Sequence, residues 1–147
     1  MKVTIETGFT LIELMVTLVI VIILASVAIP ALQSILATRA LNTTQENFAQ
    51  ALSKAGKLAR ARSTIAVVDI SGNVATLTLA DNSSPATTYT ASNSVAIANA
   101  ETYTFFPAGN VSILNASSEV LLSSVSYSSL PSRSITVSET GVVNVSR

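Results

Sequence analysis

A single carboxylate, Glu13, lies near the start of a long apolar run. Residues 14–38, which follow it, carry no charge and are mostly Leu, Ile, Val and Ala. An unpaired ionised carboxylate held at the middle of a membrane costs about 2.5–3.5 kcal/mol, so a carboxylate in such a segment needs a partner. The position of Glu13 therefore predicts that its carboxylate has a specific partner.

Composition argues against most enzymatic chemistry. The 147 residues include no Cys and no His, which excludes disulfides, thiolate chemistry, the commonest metal ligand and the commonest general base. No Ser has a His to activate it, and eight basic residues balance eight acidic ones. The remaining carboxylates that we considered as metal ligands are scattered without a ligand spacing: Asp69, Asp81, Glu101 and Glu119. We predict a protein that is not an enzyme and uses no cofactor or metal.

Two helical segments are predicted in the first 62 residues. From Phe9 to Leu32 a helix would extend about 36 Å, enough to cross a hydrocarbon core of about 30 Å. Residues 39–62 continue as an amphipathic helix whose apolar side chains recur at spacings of three, four and seven. That apolar stripe is expected to pack on a sheet and consists of Leu41, Phe48, Leu52, Ala55 and Ala59. The opposite face is predicted to be polar and carries Gln45, Lys54, Lys57 and Arg60.

The remainder of the chain predicts β-structure. Runs rich in β-branched residues are separated by turn residues, and Gly72, Gly109 and Gly141 lie in turns that favour positive φ. The last turn predicts a C-terminal hairpin. Residues 80–100 are of low complexity and are expected to form in part a mobile loop. The strands are predicted at residues 64–70, 74–80, 101–106, 111–114, 119–127, 133–138 and 142–145. The fold class is therefore α+β, a long N-terminal helix packed on a small antiparallel head.

Two ordinary explanations of the apolar run fit it poorly. A secretory signal peptide needs a basic N-terminal region, but before residue 14 the chain has only Lys2 against Glu6 and Glu13. A plain transmembrane anchor accounts for the length of the segment but not for Glu13.

The stretch "GFTLIEL", followed by an apolar run with a proline, resembles the class III leader of type IV pilins and type II secretion pseudopilins. The resemblance implies that prepilin peptidase cleaves after Gly8 and that the new amino terminus, at Phe9, is methylated. It also implies that Glu13 pairs with the amino group of a neighbouring subunit's Phe9 when the helices assemble into a filament. Pro30 removes a hydrogen bond to Ser26 and is expected to kink or locally melt the helix.

Later segments resemble the FimT/GspH type of minor pilin and pseudopilin. The segments are "FAQALSKAGKLARARSTIAVVDI", "YTFFPAGNVSI" and "SITVSETGVVNVSR", so the resemblance covers most of the chain outside residues 80–100. It implies a structural subunit that primes or caps assembly of a type IV pilus. The alternatives are a GspH-like pseudopilin of a type II secretion system and a DNA-binding minor pilin for natural transformation.

The DNA-binding alternative is disfavoured by the sequence. Members that bind DNA carry Gly-Arg-x-Arg in the final hairpin, where residues 141–144 of this chain read Gly-Val-Val-Asn. Fewer cations mean fewer phosphate contacts. The remaining candidates for DNA or partner contact are Lys54, Lys57, Arg60, Arg62, Arg133 and Arg147. The cluster 54–62 is also the ordinary charged outer face and C-terminal turn of an amphipathic helix, and we favour that interpretation.

The sequence thus predicts four segments: a leader (1–8), a transmembrane and polymerisation helix (9–33), an amphipathic helix (34–62) and a β-rich head (63–147). We expect a single-pass protein of the bacterial inner membrane with its head in the periplasm, later placed in a pilus or pseudopilus, at its tip in particular. The implied partners are prepilin peptidase, other minor and major pilin or pseudopilin subunits, and the cytoplasmic membrane.

Overall fold

One helix and nine strands make up the protein in a computed structural model, which describes residues 8–114 and 118–146. The elements are α1 (Leu11–Arg62), β1 (Ala66–Ser71), β2 (Val74–Leu79), β3 (Thr87–Thr90), β4 (Val95–Ile97), β5 (Glu101–Phe105), β6 (Val111–Ile113), β7 (Glu119–Ser124), β8 (Arg133–Val137) and β9 (Val143–Ser146). All seven predicted strands are present, and β8 and β9 form the predicted C-terminal hairpin.

Helix α1 has 52 residues and includes Pro30. The chain divides into two compact units, Met1–Ile35 and Leu36–Arg147, so that α1 contributes to both. The backbone is helical on both sides of Pro30. Local melting at that residue is therefore not observed, whereas a kink remains a prediction.

The first unit has an apolar surface. Its helical segment is long and apolar enough to cross a membrane, and none of its most apolar stretch is buried within the protein. Large apolar side chains are exposed along the whole segment, from Phe9 at 82% to Ile35 at 50%. Such a surface requires an apolar surrounding, either lipid or other helices.

The second unit contains two antiparallel sheets. The five-stranded sheet has the order β3-β2-β1-β5-β6, and the four-stranded sheet has the order β4-β7-β8-β9. Tight turns join β1 to β2, β5 to β6 and β8 to β9, and their glycines, Gly72, Gly109 and Gly141, adopt the φ angles of +55°, +97° and +76°. Positive φ is unfavourable for residues with a Cβ, which explains why glycine occupies these positions. The predicted turn chemistry is confirmed.

The core forms where α1 meets the inner faces of both sheets. The five members of the predicted apolar stripe are all buried, which confirms the stripe. The five-stranded sheet contributes Val68, Ile70 and Phe105, and the four-stranded sheet contributes side chains such as Leu122 and Ile135. At Gly56 an added Cβ would lie 3.3 Å from the Phe105 ring, so the missing side chain brings α1 close to β5.

Gln45 was predicted on the polar face, and this prediction is wrong. Only 4% of the residue is exposed, and its Nε2 donates to the Ser134 carbonyl at 2.9 Å and to the Ser146 carbonyl at 2.7 Å. The Gln45 amide is long enough to reach both carbonyls where α1 crosses the ends of β8 and β9. Its two bonds stabilise this contact, which explains why a polar side chain is buried here.

Residues 80–100, for which no strand was predicted, contain β3 and β4. The connection before β3 is held by Arg62, whose guanidinium donates to the hydroxyls of Ser83 and Ser84. The Ser83 N–H donates to the Asp81 carboxylate, and this bond lowers the pKa of Asp81. This low-complexity segment therefore contains regular structure. Pairing with neighbouring strands and tertiary contacts stabilise it although it has few apolar residues.

Candidate assembly site and cationic groove

Glu13 lies in the first turn of α1, where Thr10 caps the helix. The Glu13 N–H donates to Thr10 Oγ1 at 3.3 Å, and the Leu14 N–H donates to the Thr10 carbonyl at 3.2 Å. Thr-x-x-Glu is the sequence pattern of a capping box, in which the third helical residue is an acid. A negative charge at this position also interacts favourably with the helix dipole. Our sequence analysis missed Thr10, although this pattern could have identified it.

The described residues around Glu13 provide no positive charge. Glu13 and Phe9 are both exposed, and none of the described residues forms an ion pair with the Glu13 carboxylate. The neighbouring side chains that follow are apolar. Any positively charged partner of Glu13 therefore lies outside the described residues.

The structure brings together only part of the predicted cationic set. Lys54, Lys57 and Arg60 are exposed and line one groove of the second unit, which we call the cationic groove. The groove follows the exposed face of α1 and is also lined by Tyr89 of β3 and by Val143 and Val145 of β9. Arg62 does not line it and instead donates to the two serines before β3.

The two arginines near the ends of the hairpin do not extend this groove. Arg133 is half-buried in β8, opposite Leu122, and its Nε is buried without a hydrogen-bond partner among the described residues. Arg147 lies outside the described residues. Arg133 is therefore poorly placed for the phosphate contacts considered for it.

Glu101, which was considered above among the carboxylates without a metal-ligand spacing, is buried on the inner face of β5. Its Oε2 has no hydrogen-bond partner among the described residues. Tyr103 lies two residues further along the same face, and burial, assisted by the Glu101 charge, raises the pKa of Tyr103 well above its ordinary value. Both groups are enclosed by the core and are not exposed for catalysis.

A family model describing the prokaryotic N-terminal methylation motif matches residues 5–29. The match covers Gly8, Phe9, Glu13 and the apolar run up to the residue before Pro30. Comparisons with curated proteins and with solved structures found no match.

The motif, the exposed apolar helix and the antiparallel head together indicate a type IV pilin-like protein. A motif of this kind is typical of structural subunits. The leader implies processing by prepilin peptidase and assembly with other pilins, and the apolar helix fits anchoring in the inner membrane.

Proposed function

We propose that the protein is a minor pilin of the FimT/GspH type that primes or caps assembly of a type IV pilus. The observation that carries this proposal is the methylation motif at residues 5–29, followed by a helix whose large apolar side chains are exposed among the described residues. The sequence segments that resemble FimT/GspH subunits support the narrower assignment.

Cleavage after Gly8 would place a positive amino group at Phe9, directly before the Thr10 cap. The N-terminal end of a helix already carries a partial positive charge, so this amine is unfavourable at its own helix end. A carboxylate from a neighbouring chain compensates that charge, and the amine in turn compensates a carboxylate that would otherwise lie unpaired among apolar side chains. Pairing between Phe9 of one subunit and Glu13 of another thus favours bundling of the helices.

The remaining assignments follow from this function. Residues 1–8 are the leader, 9–33 the transmembrane and polymerisation helix, 34–62 the amphipathic helix and 63–147 the head. The head would lie in the periplasm before assembly and at the filament tip afterwards. Pro30 would act as a kink that helps apolar helices of neighbouring subunits to pack, since proline removes one bond of the helical ladder.

The test is a count of surface filaments on cells that lack the gene, beside a complemented strain. Loss of filaments that the complementing gene restores is the expected result. Normal filament numbers would contradict a priming role. Normal filaments together with a loss of protein secretion would instead identify the GspH-like pseudopilin of a secretion system, which shares the same leader.

DNA binding remains the less favoured alternative. The final hairpin presents Val142, Val143 and Asn144 after its glycine, and the nearby Arg133 is half-buried. Retardation of duplex DNA that weakens with salt would support this alternative.

A further inference from the structure

Strand β9 forms an open edge of the four-stranded sheet. The Ser138 N–H donates to the Val142 carbonyl, and the antiparallel register continues as Val137 with Val143, Thr136 with Asn144 and Ile135 with Val145. Hydrogen-bonded and non-hydrogen-bonded pairs alternate along such a ladder. The N–H and C=O groups of Val143 and Val145 therefore point away from β8, and no described residue bonds to them.

The edge of β9 lacks the usual protection against pairing. Proteins commonly protect sheet edges with charged residues, prolines or very short strands. Residues Val143–Ser146 contain no charge and no proline, and 52% of Val145 is exposed. The edge strands β4 and β6 have only three residues each, whereas β3 resembles β9 in having four residues without charge or proline.

The cationic groove lies along this edge. Its helical side includes the small side chains of Ala49 and Ser53, which leave room above α1. Lys54, Lys57 and Arg60 provide three positive charges, and none forms an ion pair with another described residue. The acidic residue among the described lining residues is Glu46, which leaves an excess of positive charge.

We propose that the β9 edge and the cationic groove bind an extended acidic segment, which adds to the four-stranded sheet as a fifth strand. Open backbone groups select an extended chain, since main-chain bonds provide affinity in strand addition. The three cations select carboxylates on the side of that strand that faces α1. The assignment of this segment to a neighbouring subunit rests on the function proposed above. The recognition of an extended acidic segment does not depend on that function.

The dimensions of the groove suit a short peptide. From Glu46 to Arg60 helix α1 rises about 21 Å, which an extended chain covers with about six residues. Alternate side chains of a strand are about 6.7 Å apart, within reach of neighbouring Lys and Arg side chains. A hexapeptide with Glu at alternate positions, separated by Thr and Val, is therefore a suitable probe.

The experiment measures fluorescence anisotropy of this labelled hexapeptide with the full chain in detergent micelles. We expect saturable binding that weakens as salt increases, and at least tenfold weaker binding when Gln replaces Glu in the peptide. Two N-methylated peptides test strand addition directly. One is methylated at the amides expected to face β9 and should lose binding, whereas the other, methylated at the alternate amides, should retain it.

Variants of the protein test the two halves of the site. Each of the single substitutions Lys57→Glu and Arg60→Glu should weaken binding, and the two together at least tenfold, whereas Arg39→Glu, a single charge reversal at an exposed position outside the groove, should not. Val145→Pro removes an N–H that faces away from β8, so the sheet keeps its internal bonds while strand addition is blocked. Circular dichroism verifies that each variant is folded.

No binding of the hexapeptide, or equal binding of the two N-methylated peptides, would overturn the proposal. Binding of duplex DNA at the groove in place of the peptide would also overturn it. The binding measurement needs no filament, so a failure here is distinguishable from a failure of the priming function.

Discussion

The Glu13 carboxylate lies in the first turn of α1, three residues after the Thr10 hydroxyl that caps the helix. Its charge favours the helix start in each isolated subunit through the helix dipole. In a filament the same charge would meet the amine of another chain. These two roles can be separated, because the cap needs the Thr10 hydroxyl whereas the proposed intermolecular pair needs the Glu13 carboxylate and the Phe9 amine.

We expect Glu13→Gln to reduce incorporation into filaments at least tenfold, a loss that corresponds to about 1.4 kcal/mol. The amide retains the size of the side chain but cannot neutralise a buried amine. The measurement is the amount of the subunit in sheared filaments relative to that in membranes. Thr10→Ala, which removes only the cap, is the matched control, and equal incorporation of Glu13→Gln and the parent protein would disprove the pairing role.

Tyr103 predicts a loss of stability at high pH. Burial raises the pKa of Tyr103, so above pH of about 10 the phenol ionises in the unfolded chain while it stays protonated in the folded one. Below that pH the contribution of Tyr103 to the free energy of unfolding is fully present. As the pH rises further, the free energy of unfolding falls by up to about 1.4 kcal/mol per pH unit. Urea unfolding of the full chain at a series of pH values should show this decline. Tyr103→Phe should remove the Tyr103 part of the slope, and an unchanged slope would contradict the assignment.

Among the elements, the β8–β9 hairpin is fixed at its turn by contacts with the β5–β6 turn. The Val111 N–H donates to the Glu139 carbonyl at 2.8 Å, which joins the two sheets. A Cβ at Gly141 would lie 3.1 Å from the Gly109 carbonyl oxygen, whereas one at Gly72 would meet nothing within 4 Å. Both glycines have positive φ, so they differ mainly in the space around them.

Gly141→Ala should therefore destabilise the protein more than Gly72→Ala. Each substitution carries the cost of left-handed backbone for a residue with a Cβ, about 1–2 kcal/mol. Only Gly141→Ala adds a clash with a backbone atom that cannot rotate away. Thermal unfolding of the two variants measures the difference, and equal losses would show that the two turns shift apart freely.

Gln45 connects α1 to the ends of β8 and β9. Gln45→Ala would remove two side-chain bonds to carbonyls that also accept bonds within the β8–β9 ladder, and we expect a loss of about 1–3 kcal/mol in the free energy of unfolding, about 0.5–1.5 for each bond. Gln50→Ala, at an exposed position on the same helix, should change it by less than about 0.5 kcal/mol. Urea unfolding provides both values. A similar effect of the two substitutions would mean that water replaces the Gln45 amide at no cost.

At the scale of the whole molecule, the chain combines an uncovered apolar segment with a head that has its own core. The head buries a core of its own within the second unit, whereas the large apolar side chains of the first unit are exposed. Under the proposed function, membrane insertion and then assembly would surround the exposed apolar side chains of the first unit with other apolar groups. Removal of the leader would come between the membrane-inserted stage and the assembled stage.

We expect the mature chain to begin at Phe9 and to carry a methyl group when the protein is produced together with prepilin peptidase. The intact mass of the membrane-extracted protein measures both changes. Gly8→Leu should leave the chain uncleaved because a large side chain then stands at the scissile bond, whereas Thr7→Ala should be processed normally. Processing of Gly8→Leu at an unchanged rate would argue against cleavage at this position.

Sequence alone determined the features that depend on local pattern. The apolar run, the stripe from Leu41 to Ala59, the seven strands and the glycine turns all follow from periodicity and backbone preference, and the structure contains them. The leader motif was also recognisable from local residue types, and the family model matches it.

Tertiary structure decided what depends on residues distant in the sequence. Gln45 looks like a surface residue until β8 and β9, about 90 and 100 positions away, place carbonyls beside it. Strands β3 and β4 form in a polar segment because neighbouring strands provide hydrogen bonds. The cationic groove arises likewise, since only folding places β9 next to Lys57 and Arg60. A sequence pattern records which face of an element is apolar, whereas packing determines which elements meet.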